Sequence, residues 1–186
     1  MNTNLTSTQK DYAIYLPAIS GFYTSHLGKN MHNNCSFGSD RYAKTIPDLE
    51  MLNFFNNQKG IFQYKWGLYS AGHANLDLTK VVPTEEMIRS RNRNDTLLLA
   101  DSGGFQIAKG VWAADWKNLD TKAQKYRETV LKWLCSISDY SMTLDIPTWT
   151  CTNPESAEKT NIRTVQDAIN TTVLNHEYFM ENSFND

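Results

Sequence analysis

The sequence has little cysteine. Its three cysteines, Cys35, Cys135 and Cys151, are odd in number and widely spaced. They form no CxxC pair, which excludes a zinc-ligand cluster and favours a reducing, cytosolic compartment. His26 and His32 with Cys35 could be imagined around a metal ion, but no other residue of suitable spacing joins them.

Long apolar runs and strong positive charge are also missing. No apolar run approaches the ~20 residues of a membrane span, and residues 1–11 are polar and carry no apolar signal region. The formal net charge is -2, and the longest basic stretch is the short one at 89–93. Composition therefore indicates no membrane partner and does not by itself indicate a nucleic-acid partner.

What remains is the composition of a globular chain, with 40% hydrophobic and 20% charged residues among 186. That length predicts one domain over residues 1–186. Strands are expected at 12–19, where the strand is interrupted or ended near Pro17, and at 64–71, 96–100 and 140–144. The third is expected to be buried on both faces because it lacks polar alternation. Helices are expected at 46–57, from Thr84 as N-cap, at 120–138 and at 154–181, and a long loop is expected at 20–45.

This alternation of strands and helices predicts an α/β fold with about four parallel strands and crossover helices. Such a sheet is either a small open one or part of a (β/α)8 TIM barrel. A complete barrel needs ~250 residues. If the chain forms a barrel, we expect it to be the N-terminal half.

Two aspartates stand directly after predicted strands, Asp101 after 97–100 and Asp145 after 141–144. Residues at the carboxyl ends of parallel strands line the ligand site, and neighbouring strands lie ~5 Å apart. We therefore expect both carboxylates to face one small volume. The alternative is that each aspartate caps the helix that follows it. Gly103 and Gly104 weaken this alternative, because paired glycines allow close approach of a flat ligand.

Two carboxylates in one site can share a proton, hold a divalent metal or accept hydrogen bonds from a donor-rich ligand. Guanine and its 7-deaza analogues present such donors at N1–H and the exocyclic amino group. The residues alone leave these three uses open.

The segment DSGGFQ at 101–106 resembles the signature of tRNA-guanine transglycosylases and their phage and bacterial DNA-modifying relatives. Asp145, one crossover later, resembles the second base-recognising aspartate of that family. The segments YLPA at 15–18 and YSAGHA at 69–74 look more like the DNA-modifying branch. The resemblance covers roughly residues 60–150.

The resemblance implies a (β/α)8 barrel that exchanges a guanine in DNA or tRNA for a free 7-deazaguanine, through a covalent glycosyl–enzyme intermediate. It implies that Asp101 contacts the base and assists proton transfer, and that Asp145 recognises the N1 and amino edge. Ser102, Gly103 and Gly104 would supply polar and backbone contacts. Phe105 would stack on the base, which must leave its own stack to be reached. Core packing is the alternative for Phe105, and local packing is expected of Gln106.

The family's nucleophilic aspartate and its CxCxxC zinc site with a distant histidine have no counterpart here, and Cys135 and Cys151 do not substitute for them. We therefore expect no cofactor in this chain, a structural zinc only in a missing C-terminal half, and a second chain that completes the barrel. The expected location is the cytosol of a bacterium or a phage-infected host. Two alternatives remain: a non-catalytic 7-deazaguanine-binding or regulatory subunit, and a small α/β enzyme that uses the two acids with a metal.

Overall fold

The apolar run around residue 98 forms strand β2, Leu97–Asp101, at the centre of a parallel sheet. Strand β1, Trp66–Ser70, pairs with one side of β2, and β3, Tyr140–Ser141, pairs with the other. The computed structural model describes residues 13–21, 23–24, 27, 49–80 and 82–183. Within these ranges the fold is mixed α/β with a small three-stranded parallel sheet, as the alternation of elements predicted.

The strand expected at 12–19 is reduced to one parallel bridge between Ala18 and Leu68. The Ile19 N–H donates to the Leu68 carbonyl at 2.8 Å, and the Leu68 N–H donates to the Pro17 carbonyl at 2.9 Å. Residues 13–17 have no regular structure, and Pro17 has no N–H with which to extend the ladder. The strand expected before Pro17 is therefore absent from residues 13–16, and the pairing that does form lies just after the proline, where the segment runs parallel to β1. Residue 12 lies outside the described residues.

Strand β3 is shorter than the strand predicted at 140–144. The Met142 N–H still donates to the Ala100 carbonyl at 2.9 Å. One residue later the Thr143 carbonyl accepts from the Ser102 hydroxyl at 2.8 Å. Strand β2 ends at Asp101, so the backbone beyond Met142 has no strand to pair with.

The helix predicted at 46–57 is replaced by a 3-10 helix, Leu49–Leu52, followed by turns. Asparagine side chains compete with the helical hydrogen bonds here. The Asn53 side-chain oxygen accepts from the Phe55 N–H at 3.1 Å, and that of Asn56 accepts from the Gln58 N–H at 2.9 Å. Residues 46–48 lie outside the described part.

The loop predicted at 20–45 is also not irregular throughout. Gly21, Tyr23, Thr24 and Leu27 have helical backbone, and the Thr24 N–H donates to the Ser20 carbonyl at 3.1 Å. Of the residues in that predicted loop, 20, 21, 23, 24 and 27 are described, and the others lie outside the described ranges.

Helices lie between the consecutive strands, as parallel pairing requires. A 3-10 turn, Pro83–Glu85, leads into the short α1, Glu86–Arg89, so Thr84 lies within the turn and is not the predicted N-cap. Between β2 and β3 lie α2, Gly104–Ala108, and α3, Thr121–Ile137. Helix α3 begins where predicted, because the Asp120 carboxylate accepts from the Ala123 N–H at 2.8 Å.

The single helix predicted at 154–181 is two helices, α4, Pro154–Thr160, and α5, Val165–Asn182. Asn161 adopts the left-handed conformation with φ 58° and ends α4. Thr164 and Asp167 then form a capping box that starts α5. Pro154 does occupy the first turn of α4, as predicted.

The core packs around the sheet, with Trp116, Trp133, Leu98 and Ala100 fully buried. In β2, Leu97 and Leu99 are only partly buried, so the prediction that both faces of this strand are fully covered is wrong. In the described part of the chain, no helix combines the length and apolar character needed to cross a membrane.

Candidate functional site at the carboxyl edge of the sheet

Asp101 is the last residue of β2 and lies beside Ser70, the last residue of β1. The Ser70 hydroxyl donates to Asp101 Oδ2 at 2.6 Å and accepts from the Gly72 N–H at 3.1 Å. The half-buried carboxylate therefore has one oxygen held by a neighbouring strand. Its orientation is fixed from within the protein.

Asp145 follows β3 on a segment that α5 holds in place. The Ile146 N–H donates to the Thr172 hydroxyl at 2.8 Å, and the Asn175 amide donates to the Leu144 carbonyl at 3.1 Å. The side chain of Asp145 is nevertheless exposed. A well-anchored backbone thus presents an accessible carboxylate.

The charge of Asp101 affects the ionisation of Asp145. Partial burial raises the pKa of Asp145 above its ordinary value, and the negative charge of Asp101 raises it further. Asp145 also lies against α2, since a Cβ added to Gly104 would stand 2.3 Å from Asp145 Oδ1. Asp101 and Asp145 are therefore brought together at one edge of the sheet.

Neither aspartate is a helix cap. The N-cap of α2 is Gly103, and the N-cap of the 3-10 helix Thr148–Thr152 is Pro147; neither position makes a side-chain capping bond. The structural alternative considered for Asp101 and Asp145 is thus wrong. Their carboxylates have no role in starting the helices that follow.

The other residues of the DSGGFQ segment mostly serve the packing of this edge. The Ser102 side chain is fully buried and donates to the Thr143 carbonyl. Gly103 has φ 84°, and a Cβ there would stand 2.7 Å from the Trp112 ring. Gln106 packs against Gly72, where an added Cβ would stand 2.5 Å from its side-chain nitrogen, as the expectation of local packing had it.

Phe105 is not a core residue, because 55% of it is exposed. Its ring makes an edge contact with Trp149 at a centroid distance of 5.8 Å. The Lys109 ammonium lies 5.5 Å from the centroid of the Phe105 ring and 5.6 Å from that of the Trp149 ring. An exposed aromatic surface with one cation therefore adjoins the aspartate pair.

Three of these side chains, Ser70, Lys109 and Trp149, were not anticipated from the sequence. Ser70 ends the strand paired with β2, and Lys109 stands one helical turn after Phe105. Trp149 follows Asp145 by one short turn. Ser70 and Trp149 could have been found by asking which residues end or follow the paired strands, and Lys109 by its helical spacing from Phe105.

Within the described ranges, no three His, Cys, Asp or Glu side chains are grouped so as to hold a metal ion. His26, His32 and Cys35 lie outside those ranges. An apolar pocket of about 420 Å³ is lined by residues including Ile19, Leu52 and Phe62, and it contains neither aspartate. The aspartate pair lies at an open edge instead.

Comparison with known proteins adds no relative: no protein-family model, curated protein or solved structure matches the chain.

Proposed function

We propose that this chain supplies the guanine-recognition half of a base-exchanging transglycosylase, which inserts a 7-deazaguanine into DNA or tRNA. The single observation that carries the proposal is the meeting of Asp101 and Asp145 at one edge of the sheet, with the pKa of Asp145 raised by burial and by its neighbour. The resemblance of residues 101–106 to the transglycosylase signature supplies the reaction class.

A donor-rich base suits this pair of carboxylates. The Asp145 carboxylate is partly desolvated and lies close to a like charge, so its ionised form is disfavoured. The N1–H and amino group of guanine would replace lost hydration with charge-assisted hydrogen bonds. Asp101, held by Ser70, would contact the same base and assist proton transfer.

The proposal extends to the fold, as half of a (β/α)8 barrel. The strands lie in sequential order, and the Ala18 segment runs beside β1, which is how the wall of a barrel grows. A second chain or a C-terminal half would complete the wall and supply the carboxylate that attacks C1′ of the nucleoside. The structural zinc implied by the resemblance is assigned to that other part.

Isothermal titration of the chain with guanine and with hypoxanthine tests the recognition step. Hypoxanthine lacks the amino group, so we expect guanine to bind more tightly, and Asp145→Asn to weaken guanine binding by about 10-fold. Glu128→Gln, an exposed carboxylate on α3 paired with Lys132, is the matched control and should bind guanine as the wild type does. Equal affinity for the two bases, unaffected by Asp145→Asn, would contradict the proposal.

One feature favours the non-catalytic alternative, a 7-deazaguanine-binding or regulatory subunit. Asp101 already accepts a hydrogen bond from Ser70, and the raised pKa of Asp145 disfavours the ionised form that a carboxylate nucleophile requires. Neither is an obvious nucleophile. Incorporation of labelled guanine into DNA or tRNA, with the product of the neighbouring gene added, separates the two: exchange supports the enzyme, and base binding without exchange supports the subunit.

A further inference from the structure

Phe105, Trp149 and Lys109 form an exposed group that we call the aromatic–lysine cluster. Phe105 is 55% exposed and Trp149 is 37% exposed. Their rings meet edge to face at 60°, so neither ring covers the other. These two large aromatic side chains contact each other and remain exposed. They therefore provide a surface on which a planar ligand can stack.

The cluster adjoins the aspartate pair because of where its residues stand in the chain. Phe105 follows Gly104, the residue against which the Asp145 carboxylate lies. Lys109 caps the carboxyl end of α2, one turn after Phe105. Trp149 belongs to the 3-10 helix Thr148–Thr152, which begins just after Asp145 and packs against α2. A ligand held by the aspartates would extend over the cluster.

The charge of Lys109 indicates which kind of ligand the aromatic–lysine cluster binds. Lys117, Lys132 and Lys159 each form an ion pair with a carboxylate. Lys109 forms none with any described carboxylate, and its ammonium rests over the two rings. A ring surface combined with an unneutralised ammonium matches a nucleotide, whose base can stack while its phosphate meets the cation. A free base could stack on the rings, but it has no phosphate to contact the Lys109 ammonium.

We propose that the aromatic–lysine cluster binds the nucleotide that flanks the target guanine in a single-stranded segment of nucleic acid. Trp149 stacks on the flanking base, and Lys109 contacts its phosphate. The identity of the central base rests on the proposed function, whereas the nucleotide chemistry of the cluster follows from Phe105, Trp149 and Lys109 themselves.

The test is fluorescence anisotropy with a labelled single-stranded oligothymidine that carries one central guanine, titrated between roughly 50 and 200 mM salt. We expect Trp149→Ala to weaken binding by at least about 5-fold, and Trp149→Phe to retain most of it. Lys109→Ala should reduce the slope of log K against log salt by about 0.7, the value for one phosphate of a single strand. Trp149→Ala should leave that slope unchanged.

Two matched controls lie away from the cluster. Phe62→Ala removes an aromatic ring that is 65% exposed, and Lys132→Ala removes an exposed lysine from α3. Both should bind the oligonucleotide as the wild type does. Free guanine, titrated separately, should bind Trp149→Ala and Lys109→Ala with unchanged discrimination against hypoxanthine.

The separate guanine titration keeps the two proposals distinguishable. If the wild type does not bind the oligonucleotide, or if Trp149→Ala and Lys109→Ala bind it unchanged, the inference about the cluster is overturned even where guanine binding is intact. If the oligonucleotide results are as expected but guanine is not preferred over hypoxanthine, the cluster stands and the proposed central base is wrong.

Discussion

Asp145 combines an exposed side chain with a fixed backbone. Thr172 and Asn175 of α5 hold the residues on either side of it, and Gly104 leaves the space that its carboxylate occupies. Desolvation by these surroundings and the charge of Asp101 both raise its pKa. Ionisation of Asp145 is therefore less favourable in the folded protein than ionisation of an aspartate in water.

The raised pKa makes a signed prediction for stability. A carboxyl group whose pKa is higher in the folded state stabilises that state below its ordinary pKa of about 3.9, and this contribution is lost as the pH rises through the folded-state pKa. Asp145→Asn should therefore raise Tm at pH 7, by no more than about 2–4 °C because the group is exposed. The gain should shrink as the pH falls towards 4, measured by thermal unfolding monitored by circular dichroism.

Asp167 is the control of opposite sign. Hydrogen bonds and an ion pair with Lys117 lower its pKa to about 2. Its contribution is present above the ordinary pKa and is lost as the pH falls, so Asp167→Asn should lower Tm at pH 7. If both substitutions shift Tm in the same direction at pH 7, the electrostatic account of Asp145 is wrong.

At the scale of single residues, the sequence was sufficient to predict that Asp101 and Asp145 lie at the same edge of the sheet, because each directly follows a strand predicted from its apolar pattern. It was not sufficient for the uses of Ser102 and Gly103. Their packing against Thr143 and Trp112 depends on segments far away in the chain. The contacts that a side chain makes outside its own helix or strand depend on the tertiary structure. The local sequence pattern therefore does not predict them.

At the scale of elements, the first turn of α2 packs against the segment that follows β3. A Cβ at Gly104 would stand 2.3 Å from Asp145 Oδ1 and 2.4 Å from the Asp145 carbonyl oxygen, which is too close for any side chain. The absence of a side chain at this one position lets α2 and the Asp145 segment lie in contact. The aspartate pair depends on that approach.

We expect Gly104→Ala to destabilise the fold by about 1–2 kcal/mol. Alanine favours helix over glycine by up to ~1 kcal/mol, but forced overpacking costs about 1–3 kcal/mol, so the clash prevails. Gly72→Ala is the matched control, since the three atoms nearest its added Cβ all belong to the flexible side chain of Gln106. Urea unfolding of both variants measures the difference, and equal stability of the two would exclude the proposed contact as the cause.

Elements with strong local signals could be predicted. Elements in which side chains compete with the backbone for hydrogen bonds could not. Helix α3 has a capping aspartate and a regular apolar face, and both survive in the structure. The helix expected at 46–57 also has apolar spacing, but Asn53 and Asn56 capture backbone N–H groups and turn the chain. The break between α4 and α5 could have been predicted, although a single helix was expected there. Asn161 is a helix stop signal, and the Thr164–Asp167 spacing is a start signal.

At the scale of the whole molecule, a buried charge network secures the amino end of β2, opposite the aspartate pair. Asp139 Oδ2 accepts from Arg91 at 2.7 Å and from the Leu98 N–H at 2.8 Å, and Oδ1 accepts from Arg93. The Arg91 side chain is only 1% exposed. Asp139 thus joins the residues after α1 to both β2 and the start of β3.

Asp139→Asn should cost about 3 kcal/mol or more, because it leaves the Arg91 guanidinium buried without a countercharge. Urea unfolding gives the loss directly, and Glu128→Gln, which breaks an exposed pair with Lys132, should cause no measurable change. A loss no larger than that of Glu128→Gln would mean that the network contributes little and that packing alone secures this end of the sheet.

The same network changes what the basic stretch at 89–93 offers to an approaching polyanion. Arg89 is bound to Glu85, and Arg91 and Arg93 are both bound to Asp139. The densest positive segment of the sequence is therefore largely neutralised from inside, and it stands at the end of the sheet away from the aspartates. A count of arginines therefore overstates the attraction that nucleic acid would feel. Lys109 lies beside two rings and pairs with no described carboxylate, so it offers a charge that the three engaged arginines do not.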